Sequence, residues 1–237
     1  YIGAVPPTAV TRTPQPAPLN SASLDIGLLF RTSPIAVVAA FSVGMANGAF
    51  GTLAPVYGIT RGISTTSVAY LMSLALVAGA IAQVPLGRLS DKIDRRMVLV
   101  GVGGMGALAA LLLIAFNPDE NALLYILFAL YGGCAYSLYA IAVAHANDFA
   151  DSGSFGKIAS GMLLVLGCGQ MIGPIAGSMV MQNMGPVTLF AVPAVFHAAL
   201  AGTAFLRMRA RSAAPVEDRT PFQPLPTERN VTLETVA

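Results

Sequence analysis

Residues 87–96 read Gly87-Arg88-Leu89-Ser90-Asp91-Lys92-Ile93-Asp94-Arg95-Arg96, six charges in ten positions. The runs on either side, 67–86 and 97–116, are uncharged and apolar. Each is about 20 residues long, the length a helix needs to cross about 30 Å of hydrocarbon. A densely charged hairpin between two such runs belongs at a membrane surface.

Outward from this hairpin, four more runs have the same character: 34–57, 123–145, 158–181 and 187–206. None of the six holds Asp, Glu, Lys or Arg, as expected when a charge at mid-bilayer costs about 2.5–3.5 kcal/mol. Pro55, Pro85, Pro174 and Pro193 fall inside runs, and neighbouring helices can satisfy the carbonyls they free. The chain is 55% apolar and 10% charged, against about 25% charged in soluble domains. The reading is an all-α integral membrane protein whose six-helix bundle occupies 34–211.

The basic residues set the expected orientation. Arg12, Arg31, Arg88, Lys92, Arg95, Arg96, Lys157, Arg207, Arg209, Arg211, Arg219 and Arg229 fall on one side, and Arg61 alone on the other. Twelve against one predicts that the hairpin and both ends are cytoplasmic. Residues 1–10 read as the end of a preceding transmembrane helix. Residues 11–33 read as a cytoplasmic linker in which Leu24, Leu28 and Leu29 suggest a short interfacial helix. Residues 212–237, rich in proline and charge, read as a disordered cytoplasmic tail.

Composition also narrows function. There is no basic stripe with interleaved aromatics, so nucleic acid is not an expected partner. Cys134 and Cys168 lack metal-ligand spacing and read as buried, inert thiols, and no metal or cofactor is expected. The spans offer no Asp/His or Ser/His arrangement for catalysis, which argues against an enzyme.

Polar side chains within the spans mark the candidate pathway, because in hydrocarbon they seek the bundle interior or a wet cavity. The first span carries Asn47. The fourth carries Tyr131, Tyr136 and Tyr139 and ends at His145, which is placed to titrate near neutral pH. Gly132, Tyr136 and Tyr139 share one helix face, as do Tyr131 and His145. Two readings stand for the tyrosines: pathway lining, or core packing. Gln83 and Gln170 are cavity residues or interhelical hydrogen bonds. The third span has no polar side chain and is expected to face lipid over much of its circumference. His197, in the sixth, reads as a buried neutral imidazole bonded to a carbonyl. Gly169, Gly173 and Gly177 repeat every four residues, a ridge that permits close helix approach.

The hairpin resembles motif A of the major facilitator superfamily, G-x-L-a-D-r-x-G-r-k-x-x-l, matched at Gly87, Leu89, Asp91, Arg95 and Leu99. Asp94 replaces the usual glycine. The fifth span's Gly169-x-x-x-Gly173-Pro174-x-x-Gly177 resembles a motif of drug antiporters in that superfamily, and the stretch from His145 through Asn147 and Asp148 is similar to a bacterial branch of it. The resemblance implies the C-terminal half, spans seven to twelve, of a secondary transporter in a bacterial inner membrane. It implies alternating access, a small-molecule substrate with a coupling proton or other ion, and an N-terminal half as partner. It also implies that Gly87 lets the second and fifth spans approach closely. Asp91, Arg95 and Arg96 would then form a conformational latch, with Asp91 near the start of the fifth span. From the residues alone, a solvated loop that only sets topology stands beside the latch, and a non-transporting membrane scaffold stands beside the transporter.

Overall fold

The computed structural model describes residues 26–150 and 154–210. The readings of 1–10, of 11–25 with Leu24, and of 212–237 lie outside the described residues. A short helix α1 (Ile26–Thr32) precedes the six long ones: α2 (Pro34–Thr60), α3 (Thr65–Lys92), α4 (Arg95–Phe116), α5 (Ala122–Asn147), α6 (Phe155–Met184) and α7 (Ala191–Ala210). A 3-10 turn, Pro186–Phe190, leads into α7. With that turn counted in the last, six helices among the described residues are long and apolar enough to cross a membrane.

The helices begin where the local chemistry permits. Ser33 caps α2 through its side chain, with Pro34 at the first helical position, where a missing N–H costs nothing. Ser64 caps α3, and Asn121 accepts from both Leu123 and Leu124 to cap α5. Each such cap is worth about 1 kcal/mol. Asn117 closes α4 in the left-handed conformation (φ 39°), which asparagine tolerates better than most residues.

Packing follows an internal symmetry. The most extensive pairings are α2 with α6, α3 with α5, and α4 with α7; next come α4 with α5 and α2 with α7. Exchanging α2–α3–α4 for α5–α6–α7 maps this set onto itself. Three spans reverse direction with each exchange, so the two triplets form an inverted repeat. The expected approach of the second and fifth spans is not seen: α3 and α6 make no substantial contact among the described residues. Their glycines face other helices. A methyl group on Gly173 would collide with the Met45 carbonyl, and one on Gly169 would lie 2.6 Å from that of Phe41. On α3, a methyl on Gly79 would strike the Tyr136 Cβ of α5.

The third span leaves Met97, Met105, Leu108, Leu111 and Phe116 exposed, as a helix compatible with lipid can. Half of α4's apolar stretch is buried, against 22% for α3 and 28% for α6. Absence of polar groups makes a helix compatible with lipid but does not choose its neighbours. The two cores are an aromatic one around Phe50, Phe128, Tyr131 and Phe190, and an aliphatic one around Leu29, Leu99, Leu138 and Leu200.

Gly173→Leu should therefore separate α2 from α6, lowering thermal stability in detergent by at least the 1–3 kcal/mol of an overpacked core. Gly104→Leu, where the added side chain meets open space, should leave the melting temperature within a degree or two of wild type.

Candidate functional site

The sequence-derived candidates fall into two regions. The first is the charged end of the bundle. α3 continues through Lys92 and α4 begins at Arg95, so Ile93, in an extended conformation, and Asp94 alone separate them. The expected ten-residue loop is a two-residue turn. Asp94, in the family's glycine position, caps α4: its carboxylate accepts from the Arg96 backbone N–H at 3.0 Å and from the Arg96 guanidinium at 2.8 Å. Burial alone would raise the Asp94 carboxyl pKa, but these hydrogen bonds and the nearby Arg96 and His145 outweigh it and hold it below the usual range. Arg96 also donates to the Arg207 carbonyl at 3.2 Å, tying α4 to the end of α7.

Arg95 is 1% exposed and sits between two carboxylates, Asp91 at 3.1 Å and Asp148 at 2.8 Å. Its guanidinium also donates to Ser90 Oγ, which in turn donates to the Gly87 carbonyl. Gly87 is buried. Asp148 was not singled out from sequence as the partner of Arg95, although a signal was present. Arg95 lies in the first turn of α4 and Asp148 directly after α5. Each charge opposes the macrodipole of its own helix, and pairing the two removes both conflicts. His145 is buried here, its ring 5.2 Å from that of Phe149. A small cavity opens between Ser33, Arg96, His145, Phe149 and Arg207.

The second region is mid-span. Asn47 is half-buried, with Oδ1 enclosed and without a hydrogen-bond partner among the described residues. Tyr136 and Tyr139 are half-buried. Tyr136 packs over Gly79, and its carbonyl accepts from Gln83 at 3.2 Å, so Gln83 is an interhelical bond. Gln170 is exposed on α6, its backbone pressed against Gly48. Tyr131 departs from this group: it is wholly buried, 4.6 Å from Phe50. Gly169, Gly173 and Gly177 are buried and Pro174 half-buried. His197 is buried, but neither ring nitrogen has a hydrogen-bond partner among the described residues, so the expected carbonyl bond is not formed. Gly106 lies against the ring and offers no side chain to meet it. Cys168 is exposed, unlike Cys134. At the opposite end, Arg61 joins Asp119 at 3.0 Å, an exposed pair of small energetic value.

Among the described residues no group of His, Cys, Asp and Glu is placed to hold a metal. Two inverted triplets of apolar helices, tied at one end by buried ion pairs, define an all-α multi-pass membrane bundle. The chain belongs to the Major Facilitator Superfamily, whose model matches residues 2–134 and 36–232. It is 30% identical over 174 residues to the uncharacterized MFS-type transporter YcaD of Shigella flexneri serotype 5b (strain 8401) and, equally, to that of Escherichia coli (strain SE11). Each alignment covers 72% of this chain and 44% of the relative, so the chain spans less than half the length of these curated relatives. An auto-inhibited POT family peptide transporter has the same fold, with TM-score 0.66 and 12% identity over 82% of this chain and 39% of that one.

Removing Arg95 strands the buried Asp148. Arg95→Gln should cost about 3–5 kcal/mol, and Asp148→Asn added to it should recover part of that loss in a double-mutant cycle. Asp94→Ala should cost about 1 kcal/mol as a lost cap, and Asp94→Gly a few tenths. Because the folded Asp94 carboxyl titrates below its unfolded value of about 3.9, its contribution is complete above that pH and fades as pH falls through the folded value. The wild-type-minus-Ala difference should shrink as pH falls below about 4 in unfolding titrations.

Proposed function

We propose that this chain is the C-terminal half of a secondary transporter that moves a small solute, with a coupling proton or other ion, across a bacterial inner membrane. The observation that carries the reading is the inverted repeat together with what it leaves uncovered. α3 and α6 are equivalent under the internal exchange and are the two least buried spans, at 22% and 28%. A symmetric pair of uncovered helices is the surface an N-terminal half would cover, with the solute site between the halves near mid-membrane.

Alternating access then runs by rocking one half against the other. Asn47, Tyr136, Tyr139 and Gln170 contribute hydrogen-bonding contacts to the pathway from this half, with Tyr131 behind them. Gly169, Gly173, Pro174 and Gly177 keep α6 fixed on α2 so that the half moves as one body. Gly87, Asp91, Arg95 and Arg96 form the latch, on the cytoplasmic side with both chain ends. His145 lies beside this latch, where its charge state acts on Asp94. Two carboxylates share Arg95, so shifting that guanidinium between them is a low-cost way to hold one state and release it.

A non-transporting scaffold is the second reading, favoured by the absence of charge within the spans. Water access separates the two. Single cysteines at Asn47 and Tyr136 in the full-length protein should react with a membrane-impermeant thiol reagent if the face is a solute pathway, and stay unreactive in a dry scaffold. Asp91→Asn should reduce solute flux at equal expression and insertion. Unchanged flux would remove the latch while leaving the pathway standing.

A further inference from the structure

The middle of the bundle holds polar groups that neither the latch nor the pathway uses. His197 and Tyr131 are both 0% exposed. Both ring nitrogens of His197 and the Tyr131 hydroxyl lack hydrogen-bond partners among the described residues. The two rings lie 5.6 Å apart. Leaving a buried polar group unsatisfied costs about 1–3 kcal/mol, and a buried imidazole could be replaced by a leucine without that cost. The surroundings are also shaped to the ring. A side chain at Gly106 would meet His197 Nδ1 and Cys134 Cβ, each at 3.2 Å, and one at Gly103 would meet the His197 carbonyl at 3.3 Å. Gly106 thus makes room for the imidazole, and Gly103 for the backbone that carries it.

We propose that His197, with the Tyr131 ring packed beside it, is a proton-binding site in the core of this half, sealed in the present conformation and loaded from water when the packing around the two rings opens. The inference rests on the transport reading, which supplies the second conformation. An ionisable side chain at membrane depth is retained for its chemistry rather than for stability. Histidine is the side chain that accepts a proton near neutral pH. The proton comes from bulk water onto a free ring nitrogen, and no other bond changes. The resulting imidazolium has the Tyr131 ring, 5.6 Å away between centroids, within cation–π range.

No charged group competes. Facing His197, α4 contributes no titratable side chain between Met97 and Phe116, and α5 contributes Tyr131 and Cys134. α2 meets α7 through Phe41 on Phe196 and brings only Tyr57, against Phe190. α6 touches α7 slightly, and its Lys157 and Cys168 are exposed. Because the imidazole is unhydrated when sealed, acid favours the open conformation by linkage, with a ceiling of about tenfold in the equilibrium per pH unit.

Cys134 is a reporter already in place beside Gly106. In the full-length protein in lipid nanodiscs, with all other cysteines replaced by serine, its alkylation by N-ethylmaleimide can be followed from pH 7.5 to 5.5. Rates divided by those of His197→Asn, or of His197→Leu should the first fail to fold, cancel the thiol's own pH dependence. The ratio should rise severalfold on acidification. A flat ratio overturns the proposal. Tyr131→Leu removes the ring face and should move the rise to lower pH; an unmoved rise overturns the role of the ring. The readout is access to Cys134, so it stands whether or not any solute is found to move.

Discussion

Two helix backbones touch because glycine leaves nothing between them. Lipid tails are as apolar as leucine, so helices in a bilayer gain no hydrophobic drive towards each other and must associate through close packing. Gly44 and Gly48 on α2 face Gly169 and Gly173 on α6, and backbone meets backbone along this contact. The symmetry-related crossing of α3 over α5 uses Gly79 and Gly132 in the same way. With these two pairs set, α4 and α7 fill the remaining side, and the aromatic cluster around Phe50 occupies the space enclosed.

Much of this was legible in the sequence for a physical reason. Hydrocarbon thickness and the cost of buried charge force long uncharged runs, so the six spans and the charged hairpin stand out without reference to contacts. The Gly169-Gly173-Gly177 spacing likewise announces a close approach. What it could not announce was the partner. The family motif suggested the second span against the fifth, whereas the fifth span's glycines meet the first. A ridge of small residues is symmetric with respect to whatever lies on it; only the full set of packing constraints selects the neighbour.

The charged end shows the same division. Two arginines and three acidic residues clustered there could be read as ion pairs, but which carboxylate Arg95 takes is a tertiary fact. Asp148 follows α5, 53 positions from Arg95, and enters the cluster because α4 packs beside α5. His197 was misread for a related reason. Sequence can place a histidine in hydrocarbon, but not show whether a carbonyl lies within reach. Tyr131 and Tyr136, five residues apart, face different helices, and only their surroundings separate the sealed core from the half-buried seam.

The turn between α3 and α4 has a mechanical corollary. Where the motif that this hairpin resembles has a glycine, the chain carries an aspartate locked onto the next helix by its own carboxylate and by a guanidinium that also grips α7. A glycine hinge would let each helix pivot independently. Here the joint is braced, so α3, α4 and the end of α7 are tied together at the charged end of the bundle.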